Sequence, residues 1–275
     1  MNYLSAFNKG KSELEASGIA DADTDAELLL MNVCHTERGG RFSHPEYELS
    51  EDEERLYLDM ISKRAAHVPL QHLTGIQYFM GMEFEVNENV LVPRPDTEIL
   101  VEEVMKDGAA GVSILDLCTG SGCIILSLLK YVNESSGTGT DISEAALEIA
   151  GRNAEKNGIH AHFMRSDLFE SVEGKYDVIT SNPPYIRSCD IEGLMPEVRD
   201  HDPRLALDGG EDGLGFYRRI VKDAPAYLNP AGRIYLEIGY DQGEQVSEMC
   251  MSQGFKDVEV IKDYSGLPRV VKAHI

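Results

Sequence analysis

Asn182, Pro183, Pro184 and Tyr185 close a run of strand-forming residues, YDVITS. Two consecutive prolines cannot continue a β ladder, and they force the backbone outward. The side-chain oxygen of Asn182 and the carbonyl oxygen of Pro183 then stand side by side, two acceptors matched to one planar NH2 group. Tyr185 adds a flat face for a planar, π-bonded substrate. A rigid turn with a capping Asn and a packed Tyr would use the same residues.

A second cluster precedes it. Asp116-Leu117-Cys118-Thr119-Gly120-Ser121-Gly122-Cys123 follows an apolar strand and opens an apolar helix. Gly120 and Gly122 let the backbone approach a ligand at a helix N-terminus, as nucleotide-binding turns require. The third glycine of the dinucleotide fingerprint is missing, since Ile125 stands there, and no Lys-Ser or Lys-Thr follows, which excludes a P-loop. A plain tight turn would also use this pair of glycines. Asp141 ends the next strand, 25 residues after Asp116, where a carboxylate can take two ribose hydroxyls. Asp167 ends the strand after that, placed for the exocyclic amine of an adenine. Helix caps or solvated turns would account for either aspartate alone; three successive strand ends with suitable chemistry point to a ligand crevice.

These strand ends need a sheet to align them. From Ser113 onward, strands alternate with helices: SILDLC, IILSLLKYV, GTGTDIS, EAALEIAGRNAEKNG, AHFMRSDLF, YDVITSNPPYI, GFYRRIVKDAPAYL, GRIYLEIGY and GEQVSEMCMSQG. That order predicts a doubly wound, mostly parallel α/β sheet. DVEVIKD and PRVVKAHI, joined at 264–267, read as an antiparallel hairpin at one edge. Residues 1–75 are helical in pattern. Leu4, Phe7 and Leu14 share a face, Asp23 and Thr24 stand as caps before ELLLMNV, and Ser50 with Glu53 forms a capping box. Between these parts, Tyr78, Met80, Met82, Phe84 and Val86 alternate up to a break at 87–89 and a resumption at Val90-Leu91-Val92, a hairpin pattern. Pro93-Arg94-Pro95-Asp96 then opens a helix with Asp96 as its cap. The divisions fall at 1–75, 76–93 and 94–275.

Composition narrows the function. Lys plus Arg number 25 against 48 Asp plus Glu, a formal charge of −23, and neither residues 1–90 (7 basic, 17 acidic) nor the remainder (18 and 31) is basic. A protein that lives on phosphate contacts shows a net-positive face, so nucleic acid is disfavoured as a partner. No apolar run reaches the roughly 18 residues of a membrane helix, and the first residues lack a signal-peptide core. Five cysteines without a CxxC pair read as reduced thiols in a cytoplasmic protein, and the eight histidines show no HExxH or paired Cys/His spacing, so no metal site is expected.

An Asn-Pro-Pro-Tyr tetrad after a DxxTGSG-type turn resembles the amino-group methyltransferases that use S-adenosyl-L-methionine and release S-adenosyl-L-homocysteine. The physical logic is independent of the likeness. An amide nitrogen is a poor nucleophile because its lone pair is delocalised, and hydrogen bonds from both N–H groups to Asn182 and Pro183 orient it for in-line displacement. Adenine N6, cytosine N4 and a glutamine amide all present such a group. PLQHLTG (69–75), RPDTE (94–98), DLCTGSGCI, SNPPYI and LALDGGEDGL (205–214) with Tyr217-Arg218 together resemble the HemK/PrmC family over nearly the whole chain, from about residue 22. That resemblance implies a class I, Rossmann-like methyltransferase core behind a small helical bundle that docks the protein substrate. It implies as substrate the glutamine of the Gly-Gly-Gln motif in class 1 peptide-chain release factors. It places cofactor contacts at Cys118, Thr119, Gly120, Ser121, Gly122, Asp141, Asp167, Leu168 and Asn182, and the acceptor amide at Asn182, Pro183, Pro184 and Tyr185. Arg94 and Glu98 would open the helix over the cofactor's amino-acid end. Cys118 replaces the glycine common in such turns, so its side chain must point away; Asp202 stands where Glu is expected; and Leu168 stands where some relatives carry an aromatic residue, so adenine stacking is either weaker or falls to Phe169. A DNA adenine-N6 methyltransferase is the alternative, but it would need a basic channel. A nicotinamide enzyme would need the full glycine fingerprint, and a silent binding module would have no use for the tetrad.

Overall fold

The computed structural model describes residues 1–37, 39–108 and 110–275. In chain order come α1 (Tyr3–Ala16), α2 (Ala22–Cys34), α3 (Gly40–Ser43), α4 (Glu51–Ala65), α5 (Leu70–Thr74), β1 (Ile76–Phe79), β2 (Met82–Glu85), α6 (Glu98–Lys106) and β3 (Ser113–Leu117). They are followed by α7 (Cys123–Tyr131), β4 (Ser136–Asp141), α8 (Glu144–Asn157), β5 (His162–Arg165), β6 (Tyr176–Ser181), α9 (Pro196–Arg199) and α10 (Arg204–Leu207). The chain ends with α11 (Gly215–Tyr227), β7 (Leu228–Glu237), α12 (Gly243–Ser252), β8 (Lys256–Lys262) and β9 (Pro268–His274). It divides into two compact units, Met1–Ile76 with Met195–His201, and Gln77–Leu194 with Asp202–Ile275.

The helical unit closes around Tyr3, Phe7, Leu14, Leu29, Leu30, Tyr57 and Ile61, all buried; Leu4, expected on the same face as Phe7, is exposed, and Tyr3 takes its place. Asn2 caps α1 by accepting from the Ser5 N–H, and the Ser50/Glu53 box caps α4 as its spacing predicts. α2 starts after Asp21, ahead of the expected caps, and Asp23 pairs with Lys11 at 2.8 Å. A buried ion pair ties α2 to α4: Arg64 Nε lies 2.7 Å from Asp25. The segment 195–201 joins it through Glu197, 3.1 Å from Arg64 and 2.9 Å from His67 Nδ1. Burial pushes the Asp25 carboxyl up against the pull of Arg64.

In the larger unit, the sheet order is β5-β4-β3-β6-β7-β9-β8, parallel from β5 to β7 and antiparallel at β9 and β8. The expected doubly wound sheet and edge hairpin are both present. Side chains alternate across the strands. Leu115, Leu117, Ile179, Ile234 and Leu236 pack on one face with Tyr217, Ile220 and Val221 of α11 and Val246 of α12. Ile114, Val178 and Tyr235 face the other way, against Leu100 and Val104 of α6 and Ile124, Ile125 and Leu128 of α7. Burial on both faces explains why these strands read as apolar runs.

Three local expectations need correction. The β1–β2 hairpin turns at Met80-Gly81, both with positive φ (48° and 69°), and not at 87–89. A two-residue turn of that hand matches strand twist and resets the register, so Tyr78 is exposed while Phe79, Met82 and Phe84 point inward. Asp96 does not cap α6; Pro95–Thr97 form a 3-10 turn, and Asp96 pairs with Arg269 at 3.0 Å. The third strand of the core stops at Arg165, because the Ser166 hydroxyl bonds the Leu168 carbonyl and receives the Ser171 N–H, closing a turn instead.

Truncating one member of a buried ion pair strands the other's charge. Arg64→Met should cost about 3–5 kcal/mol in the helical unit, and adding Asp25→Ala should recover most of it. Thermal melts followed by circular dichroism check this; equal melting of parent and single variant would refute it.

Candidate active site

Register aligns the strand ends. Leu117 lies opposite both Thr140 and Ser181, and Ser181 lies opposite Leu236, so the segments after β3, β4, β6 and β7 leave the sheet at one carboxyl edge. Ligands of open α/β sheets sit outside that edge. A cavity of about 220 Å³ opens there, with Thr119, Gly120, Asp141, Asp167, Leu168 and Asn182 in its wall.

The glycine turn is braced from beneath. Asp116, fully buried, accepts from the Thr119 hydroxyl (2.6 Å) and the Thr180 hydroxyl (2.8 Å), joining the turn to β6. Burial pushes its carboxyl up to about 7, against those two hydrogen bonds. Asp116 therefore shapes the site without lining it. Cys118, Gly120 and Gly122 all have positive φ. Cys118 pays the conformational strain of that region, packs against the core beneath the sheet, and has its thiol held well above the usual range by burial. Ser121 and Cys118 also reach the cavity wall, whereas Gly122 caps α7 and lies against Ala150 of α8. Asn153 of α8 donates to the Ser121 carbonyl (2.9 Å) and exchanges hydrogen bonds with Glu85 of β2, a support the sequence did not signal.

Asp141 accepts from the Gly120 N–H and the Ser143 N–H, each at 2.9 Å, and lines the cavity with its carboxyl pushed up by burial. Each oxygen keeps a further lone pair for a hydroxyl donor. Asp167 is paired with Arg219 at 2.8 Å, and both line the cavity; Arg219 had no sequence signal. Leu168, with φ of 53°, is on the wall. Phe169 is not available for stacking on a ligand: it is buried and stacked on Tyr227 with centroids 4.6 Å apart.

From the tetrad, Asn182 and Pro184 line the cavity, while Pro183 is buried. Asn182 Nδ2 donates to Thr97 Oγ1 at 3.3 Å. Tyr185 packs against the core, with its hydroxyl 3.5 Å from Glu237. The backbone after the prolines is carried by the 207–215 loop. Ile186 N–H donates to Leu207 O (3.0 Å), Gly209 N–H donates to Ile186 O (2.8 Å), and Gln242 Nε2 donates to Tyr185 O (3.0 Å) and Gly213 O (3.2 Å). Gly213 has a φ of 73°, and a Cβ there would collide with Tyr185 O. Gly209 and Gly213 of LALDGGEDGL thus serve close backbone approach. Arg94 and Glu98 have structural partners: Arg94 pairs with buried Asp202 at 2.6 Å, and Glu98 accepts the Met80 N–H at 2.6 Å. Thr97, between them, is the member of RPDTE on the cavity wall.

This donor set fits a nucleoside cofactor with a charged tail: N–H groups at the α7 N-terminus, a carboxylate for paired hydroxyls, and apolar Leu168 and Ile142 for a ring. Among the described residues, no cluster of His, Cys, Asp and Glu could hold a metal ion, and no helix is long and apolar enough to cross a membrane.

Comparison with known proteins agrees. The PrmC N-terminal domain family matches residues 5–75, and the methyltransferase small domain family matches residues 94–195. A release factor glutamine methyltransferase of Agrobacterium fabrum is 42% identical over 269 residues, covering 95% of this chain and 93% of that protein. One of Geobacter sulfurreducens is 40% identical over 263 residues, with coverage of 95% and 93%. The crystal structure of a methyltransferase from Pyrococcus furiosus shares the fold, with a TM-score of 0.54 at 22% identity, over 70% of this chain and 89% of that one.

Gly213→Ala should both strain the backbone and displace Tyr185, lowering stability by about 2–4 kcal/mol and cutting turnover more than cofactor affinity. Denaturant unfolding and cofactor titration check this; an unchanged variant would show that the loop can give way.

Proposed function

The chain belongs to the release factor glutamine methyltransferase family, and from that premise we propose how its carboxyl edge works. The reaction moves a methyl group from S-adenosyl-L-methionine to the side-chain amide nitrogen, N5, of a glutamine. We take that glutamine to be the one in the Gly-Gly-Gln motif of class 1 peptide-chain release factors, and the enzyme to work in the cytoplasm on translation termination. Residues 1–75 would dock the protein substrate, 76–93 would link, and 94–275 would carry the chemistry; the two family matches support that division.

Cys118 to Gly122, Asp141, Asp167 and Leu168 would hold the cofactor, which supplies an electrophilic methyl group on a cationic sulfur. Asp141 would accept the two ribose hydroxyls. Asp167, held by Arg219, would face the adenine amine. The observation that carries the acceptor assignment is Asn182, which lines the cavity while its Nδ2 is bound to Thr97. Its Oδ1 is left to accept one N–H of the glutamine amide, and the Pro183 carbonyl the other. Two such bonds fix the NH2 group and turn its lone pair toward the methyl group, so the barrier falls through positioning. Pro184 and Tyr185 hold the acceptor pair in place. After transfer the nitrogen is a cation of very low pKa and gives its extra proton to water, so no strong base is needed. The acidic chain, 48 acidic residues against 25 basic, suits a cationic cofactor better than a DNA acceptor.

Labelled S-adenosyl-L-methionine should mark a class 1 release factor but neither its Gly-Gly-Ala variant nor duplex DNA. Asn182→Ala should lower transfer at least about 100-fold with cofactor binding retained, while Asp141→Asn should weaken cofactor binding roughly 10–100-fold, the worth of charge-assisted bonds to two hydroxyls. Label on DNA, or equal label on the Gly-Gly-Ala variant, would reassign the acceptor.

A further inference from the structure

Pro93-Arg94-Pro95-Asp96-Thr97-Glu98 sets three charged side chains around one hydroxyl. The two prolines withhold their N–H groups, and no side chain caps the 3-10 turn at 95–97. Its backbone closes through short-range bonds such as Thr97 N–H to Arg94 O at 3.0 Å. So short a turn takes its placement from its side chains. Arg94 is bound to Asp202 and Glu98 to the Met80 N–H, each at 2.6 Å. Between them Thr97 is 2% exposed, and its Oγ1 accepts from Asn182 Nδ2 at 3.3 Å. That bond is near the long limit of hydrogen bonding, so a small shift of the turn removes it.

The remaining charged residue, Asp96, is gripped from the edge hairpin. Arg269 Nη2, on β9, lies 3.0 Å from Asp96 Oδ2. The same nitrogen donates to Asp263 Oδ2, in the turn between β8 and β9, also at 3.0 Å. Asp263 is itself fixed, accepting the Ser265 N–H (2.9 Å) and the Leu267 N–H (3.0 Å). The Arg269 carbonyl accepts the Ile238 N–H at 2.9 Å, which ties its backbone to the end of β7. The guanidinium is therefore held from both sides before it reaches Asp96. Asp263, with its side chain 4% exposed, already balances that charge, whereas Asp96 is 53% exposed. An ion pair with so open a partner adds little to stability. What it fixes is where the turn sits.

We propose that the Asp96–Arg269 pair is a positioning contact for the methyl acceptor, pinning the 95–97 turn so that Thr97 holds Asn182 Nδ2 and Oδ1 faces the substrate. This rests on the assignment of Asn182 to the glutamine amide. An amide side chain carries donors at one end and an acceptor at the other. With Nδ2 held by Thr97, Oδ1 is the end left for an N–H of the substrate. With the turn released, the amide turns about a soft terminal torsion and presents Nδ2, a donor, to another donor. The edge hairpin thereby gains a task beyond closing the sheet, since its turn anchors the guanidinium that sets Thr97.

The experiment changes Asp96, because an Arg269 variant would strand the buried Asp263. It compares the full chain with Asp96→Ala, Asp96→Glu, Thr97→Val and the Asp96→Ala/Thr97→Val double variant, with methyl transfer to a release factor measured at saturating cofactor. Tyr264→Phe is the control, since it removes only the bond from the same hairpin turn to Glu102 of α6. Asp96→Ala should lower kcat about 3–10-fold, the worth of one neutral hydrogen bond, with cofactor affinity and melting temperature unchanged. Thr97→Val should lower it by a similar factor and the double variant no further, because Asp96 acts through Thr97. Asp96→Glu should restore activity, and Tyr264→Phe should keep it. The proposal is overturned by an Asp96→Ala kcat within about twofold of wild type, by a loss that adds to that of Thr97→Val, by an equal loss in Tyr264→Phe, or by kcat and melting temperature falling together. If the wild type itself fails to label a release factor, the assignment of the acceptor has failed instead. The pair is then judged from Asn182 directly, by the NMR signals of its side-chain amide, identified by their absence in Asn182→Ala. Those signals should move alike in Asp96→Ala and Thr97→Val; signals unmoved in Asp96→Ala refute the positioning claim.

Discussion

Pro183 and Pro184 remove two successive N–H groups from the chain where β6 ends, and the surroundings are built around that loss. Backbone carbonyls left without a ladder partner need donors from elsewhere or must face a ligand. Tyr185 O finds its donor in Gln242, and Ile186 forms a parallel bridge with Asp208 in the 207–215 loop. Gln242 is itself fixed, since its Oε1 accepts the Gly239 N–H at 2.9 Å. The loop can come this close only because Gly209 and Gly213 lack a Cβ. A substitution in that loop consequently acts on the tetrad's backbone before it acts on any side chain.

Two carboxyls buried under this edge divide the work of holding it. Asp116 braces the cofactor turn against β6 through two hydroxyls, so its charge is balanced by short hydrogen bonds of 2.6 and 2.8 Å. Glu237 is held less completely, with one long contact and a vacant oxygen. Both are pushed up to about 7 by burial. Each therefore favours the folded state less as pH rises through that value.

What the sequence makes legible is whatever depends on local chemistry. The glycine turn, the strand-end aspartates, the double proline and the Ser50/Glu53 cap are visible because backbone geometry demands those residue types. The alternation of strand and helix carries the sheet for the same reason. Contacts made by tertiary packing are not visible. Arg219 reaches Asp167 from α11, Thr97 meets Asn182 from 85 residues away, and Glu237 lies by the Tyr185 hydroxyl from 52 residues away. Apolar alternation continues through Met80 and hides the hairpin turn, while positive φ at Met80 and Gly81 resets which face points inward. Phe169 illustrates the same limit: an aromatic beside a cofactor residue looks available, yet Tyr227 already covers its face.

The proposed roles would divide along the carboxyl edge. On the proposed assignment, the cofactor wall would be formed by β3, β4 and the turn after β5, where Gly120 and Ser143 bond Asp141 and Ser171 bonds Ser166. The acceptor wall would be formed by the end of β6 and the 3-10 turn at 95–97, backed by the 207–215 loop, and is held by contacts over long sequence separations. Two neighbouring acceptors would specify an NH2 group and nothing beyond it, so Asn182 and Pro183 alone would not choose between an amide and a nucleobase. That choice falls to charge and to surfaces outside the crevice. A chain with nearly twice as many acids as bases disfavours a phosphate backbone on average, whereas a neutral amide on a protein loop meets no such barrier.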